Sequence, residues 1–597
     1  MRVQLPARSS QSSFPIAKCA IALLSCAFSI QPSFAAQEVD WPYFGADLSN
    51  SRYANIDLIN PSNVSQLKVA WSFTGSGTEA VSAEATPIVV EGVMYVTGNS
   101  GGVFALNPTT GKQIWHYTST TPGTSKGVVY GEGLLFYGQG PNLVALNAKT
   151  GALVWKTVAD PSSPTNQADI TITPQFITTG GVSEVLVSPS YGDFGVRGHM
   201  DAYNATTGKL LWRFWTTEPS TWGGGKTYLY GGAAVWQTPT FDPALNLVIF
   251  GTGNAAGPDV LGTNRAGTNL YADSIVALDA TTGELQWFFQ LVHHDLWDIE
   301  VAQPIMLFSW NGIPAVEGQN KAGHTFILDR ASGESLFPYQ EVAVPPTPAA
   351  VAAYQHPWPT QPVSSIESLA EFGLEPGSLL PAGAVEVPQF TTPSPTAQVY
   401  QPNLVAGYEW YSAAYSPRTH MMYSPALYVP TMVSVDNNFN TANCAALYTY
   451  AYNGCGAVGG LFAIIAPVGG VVTHGVYGAI NTLTGKVAWK IPVLTNSPTS
   501  GMSVAGDLVF FGDATGLFYG ASAATGEILW VSDATTVSGA GGADSTGPIA
   551  YEVGGAEYVA MEFGGGTFVK GNALIAYALP AAAAAAEKSA AGRGRVK

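Results

Sequence analysis

Cysteine is scarce in this chain. Four occur in 597 residues, at positions 19, 26, 444 and 455. No two are adjacent, and no Cys-x-x-Cys-His occurs, so no covalently attached haem c is encoded. Positive charge is scarce too: 24 Lys and Arg stand against 41 Asp and Glu, a formal net charge of −17. That balance argues against nucleic acid or an anionic membrane surface as partner. It suits a basic partner, or simply a solvating surface. Apolar residues almost never recur at helical spacing, which points away from a helical architecture. One apolar run stands out, CAIALLSCAFSI at the N-terminus. It is too short to be a typical spanning helix. Arg2, Arg8 and Lys18 precede it and Ser33-Phe34-Ala35 follows as a small-x-small cleavage site. Residues 1–36 therefore read as a secretory signal peptide, giving a periplasmic protein without a transmembrane anchor. Cys19 and Cys26 leave with the signal. Cys444 and Cys455 remain, close together in one loop, and are expected to form a structural disulfide.

What the chain has in abundance is one phrase. VFALNPTTGKQIW (103–115) returns as LVALNAKTGALVW, MDAYNATTGKLLW, IVALDATTGELQW, TFILDRASGESLF, YGAINTLTGKVAW and FYGASAATGEILW. Gly111, Gly151, Gly208, Gly283, Gly333, Gly485 and Gly526 are each followed four residues later by Trp115, Trp155, Trp212, Trp287, Phe337, Trp489 or Trp530. Each copy reads as a hairpin. An apolar run usually ends at Asn or Asp, whose side chain closes an Asx turn, and the Gly supplies positive φ. One hairpin cannot bury its own face, so neighbours must stack. The closest copies lie 40 residues apart, the length of a four-stranded propeller blade, and radial closure disposes of sheet edges. The recurring aromatic is expected between blades, in a tryptophan-docking arrangement. LKVAWSF around Trp71 keeps the aromatic without the turn, and AAYSPRTHMMYSPAL is a degraded copy. The expected fold is all-β, an eight-bladed β-propeller over residues 37–580, with an open solenoid of hairpins as the alternative. Residues of about 340–402 form a Pro-rich insertion or lid, and 581–597 an Ala-rich, basic, disordered tail.

Three stretches break the blade pattern. SPSYGDFGVRG places Asp193 in a Gly-flanked turn, FGTGNAAG places Asn254 at a strand end, and HHDLWDIEV clusters Asp295, Asp298 and Glu300. All follow strand-like runs, so they are expected at one end of the propeller axis. Carboxylate and amide oxygens are hard-cation ligands. Singly, each also reads as an ordinary turn residue.

On these motifs the chain resembles the quinoprotein alcohol dehydrogenases, haem-free type, eight-bladed enzymes that use pyrroloquinoline quinone (PQQ). The resemblance covers nearly the whole mature chain, beginning with WPYFGADLSNSRYANIDLINPSNVSQLKVAWSF. It implies Asp193 and Asn254 as metal ligands and Asp298 as the catalytic base, also near the metal. Trp236, in GGAAVWQTPTFDP, matches the Trp that stacks on the quinone. Lys321, in NKAGHTFILDRASG, matches the basic residue at the quinone oxygens. Lys126 stands where an Arg usually faces a cofactor carboxylate. Ser190 and Thr173 are further cofactor candidates. The chain also departs from the pattern. STTPGTSKG carries no Cys where the family often has a vicinal pair over the quinone. The metal acid is Asp193 rather than Glu. Glu300 stands where an Asp accompanies lanthanide use, either as a further ligand or as the partner of a basic side chain. Glu409 and Trp410 stand where a polar amide is common, and PTSGMSVAGDLVF lacks a pocket Trp.

The expected function is oxidation of an alcohol, of small-molecule, bulky, secondary, polyol or polymeric type, by hydride transfer to PQQ. Calcium, or alternatively a lanthanide, is the expected metal, and a soluble cytochrome c the acceptor. The competing expectation is a non-enzymatic propeller scaffold of the outer-membrane assembly type. A scaffold needs the hairpins but not Asp193, Asn254, Trp236, Asp298 and Lys321 together.

Overall fold

The computed structural model describes residues 38–591, apart from 78, 83, 122, 124, 161–167, 224–225, 230, 256–261, 263–264, 436–461, 468–472, 494–498, 544–546 and 565–570. The signal segment and the Cys444–Cys455 pair lie outside the described residues. From Glu38 onward the chain forms one compact unit.

Among the described residues, five of the eleven sheets consist of four antiparallel strands taken in chain order. Val129–Gly131, Leu134–Gln139, Asn142–Asn147 and Leu153–Val158 are typical. The repeat motif supplies the last two strands of such a sheet and the turn between them. In that turn the Asn147 side chain accepts from the Thr150 amide at 3.0 Å, and Gly151 takes φ +71°. Register slips by one residue just before the turn, in this sheet between Ala145 and Leu146. The same slip recurs in five of the other six repeats, all but the one ending at Phe337, so each repeat Trp sits at a bulge that turns it toward the next sheet.

Each aromatic then meets the following repeat turn. Indole N–H groups donate from Trp71 to Pro108 O (2.9 Å), Trp115 to Ala148 O (3.0 Å) and Trp155 to Ala205 O (2.9 Å). Trp212 donates to Ala280 O (3.0 Å), Trp287 to Arg330 O (3.0 Å) and Trp489 to Ala523 O (3.2 Å). The ring of each lies flat against the next repeat glycine. A Cβ added at Gly283 would come within 2.6 Å of Trp212, and one at Gly333 within 2.6 Å of Trp287. Where the repeat has Phe337, the ring still packs on Gly485, but it has no N–H to give. Trp310 supplies it instead, donating to Thr482 O of that turn at 2.9 Å. Trp530 packs edge-on against Tyr577 at 5.2 Å. Tyr577 belongs to the sheet Ile549–Val553, Ala556–Phe563, Ala573–Ala578 and Lys68–Phe73, which also contains Trp71. The chain of contacts thus returns to its start, and the antiparallel pair Lys68–Phe73 with Ala573–Ala578 joins the two ends of the sequence.

Two segments depart from the sequence-based expectation. The tail expected to be disordered begins as an α-helix, Pro580–Ala591, with Ala583 and Ala586 buried in the core that contains Trp71. Alanine is the strongest helix former, and this run also has an apolar surface to cover. The Pro-rich insertion is built in rather than loose. A hairpin pairs Tyr339–Ala343 with Thr360–Ser364. Val385–Glu386, Gln398–Tyr400, Thr431–Val435 and Phe462–Pro467 form an additional sheet outside the circuit of aromatic contacts. Its residues Tyr400, Val433 and Val435 share a core with Leu296, Trp297 and Ile299, on the segment that carries Asp298.

Candidate functional site

Loops from successive sheets are laced together by backbone hydrogen bonds. Gly232 N donates to Gly192 O (3.1 Å), Ala233 N to Asn254 O (2.8 Å), Gly253 N to Ala234 O (2.8 Å) and Asp273 N to Gly253 O (3.0 Å). Asp193 lies in a single 3-10 turn, Gly192–Phe194, flanked by Tyr191 at φ +68° and Gly195 at φ +89°. This lacing brings the side chains of Asp193 and Asn254 close together. Asp193 Oδ1 and Asn254 Nδ2 are both buried without a hydrogen bond. Burial, then the charge of Glu300, push the Asp193 carboxyl up to about 6.

The segment 293–300 is shaped by Asp295. Its carboxylate accepts from Trp297 N at 2.7 Å and Ile299 N at 2.6 Å. This Asx-type turn holds Asp298 at φ +59°, in the left-handed region that Asp tolerates better than most residues. From the additional sheet, Phe390 packs edge-on against Trp297 at 5.5 Å, and the Trp297 indole N–H donates to Thr391 O at 2.7 Å. The preceding histidines serve structure. His293 bonds Gln290 and Glu341, and His294 lies between the carbonyls of Gly267 and Gln355.

Lys321 reaches both acids, with Nζ 3.4 Å from Asp298 Oδ2 and 2.6 Å from Glu300 Oε1. Burial alone would lower its pKa, but Asp298, Glu300 and Glu409 together hold it well above the usual lysine value. Glu300 has a second engagement: Oε2 accepts the Trp236 indole N–H at 2.7 Å. A Cβ at position 253 would sit 2.9 Å from that oxygen, so glycine leaves the carboxylate its room. Glu300 is thus paired with a basic side chain, Lys321, as one of its two readings expects. Lys126 lies over the Trp236 ring, with Nζ 4.4 Å from the centroid and 3.3 Å from Trp236 O, and 5.2 Å from the centroid of Trp410. Burial, outweighing Glu84, Glu300 and Glu409, lowers Lys126 to about 8. Thr173 Oγ1 is buried without a hydrogen bond, and Gly127 lies against it. Ser190 Oγ is bonded to Thr171 Oγ1 at 2.6 Å.

Asp193, Asn254, Trp236, Asp298, Glu300, Lys321 and Lys126 therefore form one connected group, with Thr173 and Ser190 as neighbours of its members. Asp273 escaped the sequence reading. It is fully buried, and burial, then the charges of Asp295 and Glu300, raise its carboxyl well above the usual range. In sequence it is the first acid of an ordinary strand, ADSIVALD, with no motif to mark it.

Comparison with known proteins bears on what this group does. A family model described as the PQQ glucose/ethanol/alcohol dehydrogenase β-propeller domain matches residues 41–559. The quinohemoprotein alcohol dehydrogenase of Comamonas testosteroni is 30% identical over 569 residues, covering 89% of this chain and 73% of the relative. Quinoprotein alcohol dehydrogenase PedH of Pseudomonas putida is 28% identical, covering 87% of this chain and 85% of its own. The crystal structure of the Comamonas enzyme superposes with a TM-score of 0.73 at 26% identity, over 92% of this chain and 81% of that one. A europium-containing methanol dehydrogenase shares the fold, with a TM-score of 0.69 at 23% identity. The scaffold alternative is not favoured, and the mostly-β chain is a quinoprotein β-propeller. It belongs to the family of PQQ-dependent alcohol dehydrogenases, oxidoreductases that work with PQQ and a metal ion.

Proposed function

We propose that the protein is a periplasmic, haem-free, eight-bladed quinoprotein that oxidises an alcohol and passes the electrons to a soluble cytochrome c. The closed circuit of aromatic-to-turn contacts supports eight blades with tryptophan docking. The observation that carries the catalytic reading is the connected set Asp193–Asn254 and Trp236–Glu300–Lys321–Asp298.

These residues fit the cofactors the family uses. Asp193, Asp298, Glu300 and Glu409 gather around two lysines, with Asp193 Oδ1 unpaired, and a cation would relieve that excess of buried negative charge. Lys126 is a buried ammonium whose hydrogen bond goes to a carbonyl, a setting that favours an anionic ligand. When bound, PQQ supplies the hydride-accepting carbonyl and the metal ion polarises it.

This chain's residues do the rest. Asp298 takes the alcohol proton. The Lys321 ammonium at 3.4 Å aims it, and the Asp295 turn fixes its backbone. Trp236 offers a flat apolar floor whose tilt the Glu300 bond sets, and Lys126 would hold a carboxylate of PQQ. Trp297, clamped by Phe390 and Thr391, closes the base segment against water. Asp193, Asn254 and Asp298 would hold the metal ion. Both oxygens of Glu300 are already bonded, which favours calcium; a lanthanide site would require Glu300 to leave Lys321. Small residues, Thr499 and Ser500, precede the strand where a pocket Trp is often found, and this supports a bulky, secondary or polyol substrate.

The test is reconstitution with PQQ and either Ca²⁺ or a light lanthanide, followed by dye-linked oxidation of a panel of alcohols. Activity with Ca²⁺ is expected, and Asp298→Asn should cost about 10²–10⁴-fold in kcat while bound PQQ absorbance persists. PQQ-loaded protein that oxidises no alcohol, or full activity in Asp298→Asn, would refute the reading.

A further inference from the structure

We infer that Arg265 is a positioning residue for the base, gripping the turn that carries Asp298. The inference rests on the proposed function, in which Asp298 takes the alcohol proton, and names what fixes that carboxylate.

Arg265 is fully buried. Its Nη2 donates to Asp295 O at 2.6 Å and its Nη1 to Asn269 Oδ1 at 2.8 Å. Asn269 closes a ring, since its Nδ2 donates back to Arg265 O at 2.6 Å. The Asn269 backbone has φ +59°, and its N–H is pinned on Thr221 O at 3.1 Å. Asn269 thus fixes the planar guanidinium fork that reaches Asp295, and a planar fork has little freedom left once two of its prongs are engaged.

Asp295 is the residue for which this grip matters. Its carboxylate accepts from Trp297 N and Ile299 N, the two amides that flank Asp298. Its carbonyl is the group that Arg265 holds. Asp295 is therefore fastened at both ends, and Asp298, at φ +59°, sits inside the turn it forms. The Arg265 loop supports the same segment twice more. His294 N donates to Thr268 O at 3.2 Å, and His294 Nδ1 lies 2.8 Å from Gly267 O. A shift of Asp295 would pass directly to the base three residues on.

The charge matters as well as the fork. Burial raises the carboxyls of Asp273 and Asp295, and the Arg265 charge opposes this at both. Removing the charge outright would leave two buried acids uncompensated and endanger the fold itself. The experiment therefore keeps it. Arg265→Lys retains the cation without the fork. Asn269→Gly retains Arg265 but frees its guanidinium, and glycine tolerates the positive φ. Unchanged melting temperatures confirm folding of both.

In the full chain with Ca²⁺, hydrogen exchange at the Trp297 and Ile299 amides should show protection lowered by roughly ten-fold in each variant. With PQQ present, each should lower kcat by roughly ten- to hundred-fold while KM and PQQ affinity change little. In an Asp298→Asn background the same substitutions should cost little further turnover, because a positioning residue acts only through the group it positions. Unchanged protection at both amides, or equal losses of turnover in the two backgrounds, would overturn the inference. Absence of turnover in the unsubstituted chain would instead overturn the proposed function, and the exchange result alone would then decide what Arg265 holds.

Discussion

Lys126 carries its charge among indole faces and one carbonyl, and its pKa near 8 makes its protonation matter in an accessible pH range. The proton lies on Lys126 below that value and leaves above it. An anionic ligand binds the charged form better, so the complex holds the proton to higher pH than the free protein does. PQQ affinity should therefore be level up to about pH 7 and fall above pH 8, by at most tenfold per unit. Lys126→Gln should bind more weakly at pH 7 and show a flat profile. Equilibrium dialysis from about pH 6.5 to 9.5 measures this, and a falling profile retained in Lys126→Gln would assign the titration elsewhere. Lys126 was marked in the sequence only by resemblance, at a position where the family usually has an Arg, since TSKGVVYGEG has no spacing that marks a cofactor contact. Asp193, Asn254 and Asp298 were more legible, because each follows a strand and sits in a turn with a recognisable motif. Glu300 was ambiguous for a physical reason. Whether a carboxylate meets a cation or a lysine depends on Lys321, 21 residues on, and on the indole N–H of Trp236, neither of which spacing can place.

At the scale of the hairpin, turn glycines have two separable duties. Gly312 has φ +84° and open space around its missing Cβ, whereas Gly333 has φ +74° and the Trp287 ring at 2.6 Å. Ala at either position incurs the left-handed backbone strain, about 1–2 kcal/mol. Only Gly333→Ala also collides with a docked indole, a further loss of about 1–3 kcal/mol. Denaturant unfolding should therefore separate the two variants by that second amount; equal losses would show that the ring contact contributes little. These hairpins were readable because the turn, the bulge and the aromatic all lie within 13 residues. The additional sheet was not. Its strands at 385–386, 398–400, 431–435 and 462–467 are short or widely separated, and Pro and Ala between them mask any alternation. They are held by a core that includes Leu296 and Trp297, a partner about a hundred residues away that local pattern cannot announce. The helix at Pro580–Ala591 was missed because composition alone reads an Ala run with a basic end as solvent-exposed. Burial of Ala583 and Ala586 beside the Trp71 core decides otherwise.

For the molecule as a whole, the distinguishing property is closure. In an open stack of hairpins the terminal contact would be dispensable, since its loss would only fray one end. Here Trp71 is terminal in sequence but not in structure. It donates to Pro108 O, its sheet is completed by Ala573–Ala578, and Tyr577 of that sheet receives Trp530 from the other side. Removing it opens a seam between elements about 500 residues apart. The chain must bring those ends together at a loop-closure cost that grows only slowly with length, so the seam remains favourable as long as its contacts are intact. Trp71→Ala should therefore cost about as much as Trp212→Ala, which sits between sequence-adjacent sheets, each about 3–5 kcal/mol. Both should unfold in a single transition. Hydrogen exchange would separate the alternatives. Closure predicts that Trp71→Ala lowers protection in every sheet alike. Loss confined to Lys68–Phe73 and Ala573–Ala578, with the remaining sheets unaffected, would mean that the circuit of contacts is not a cooperative ring.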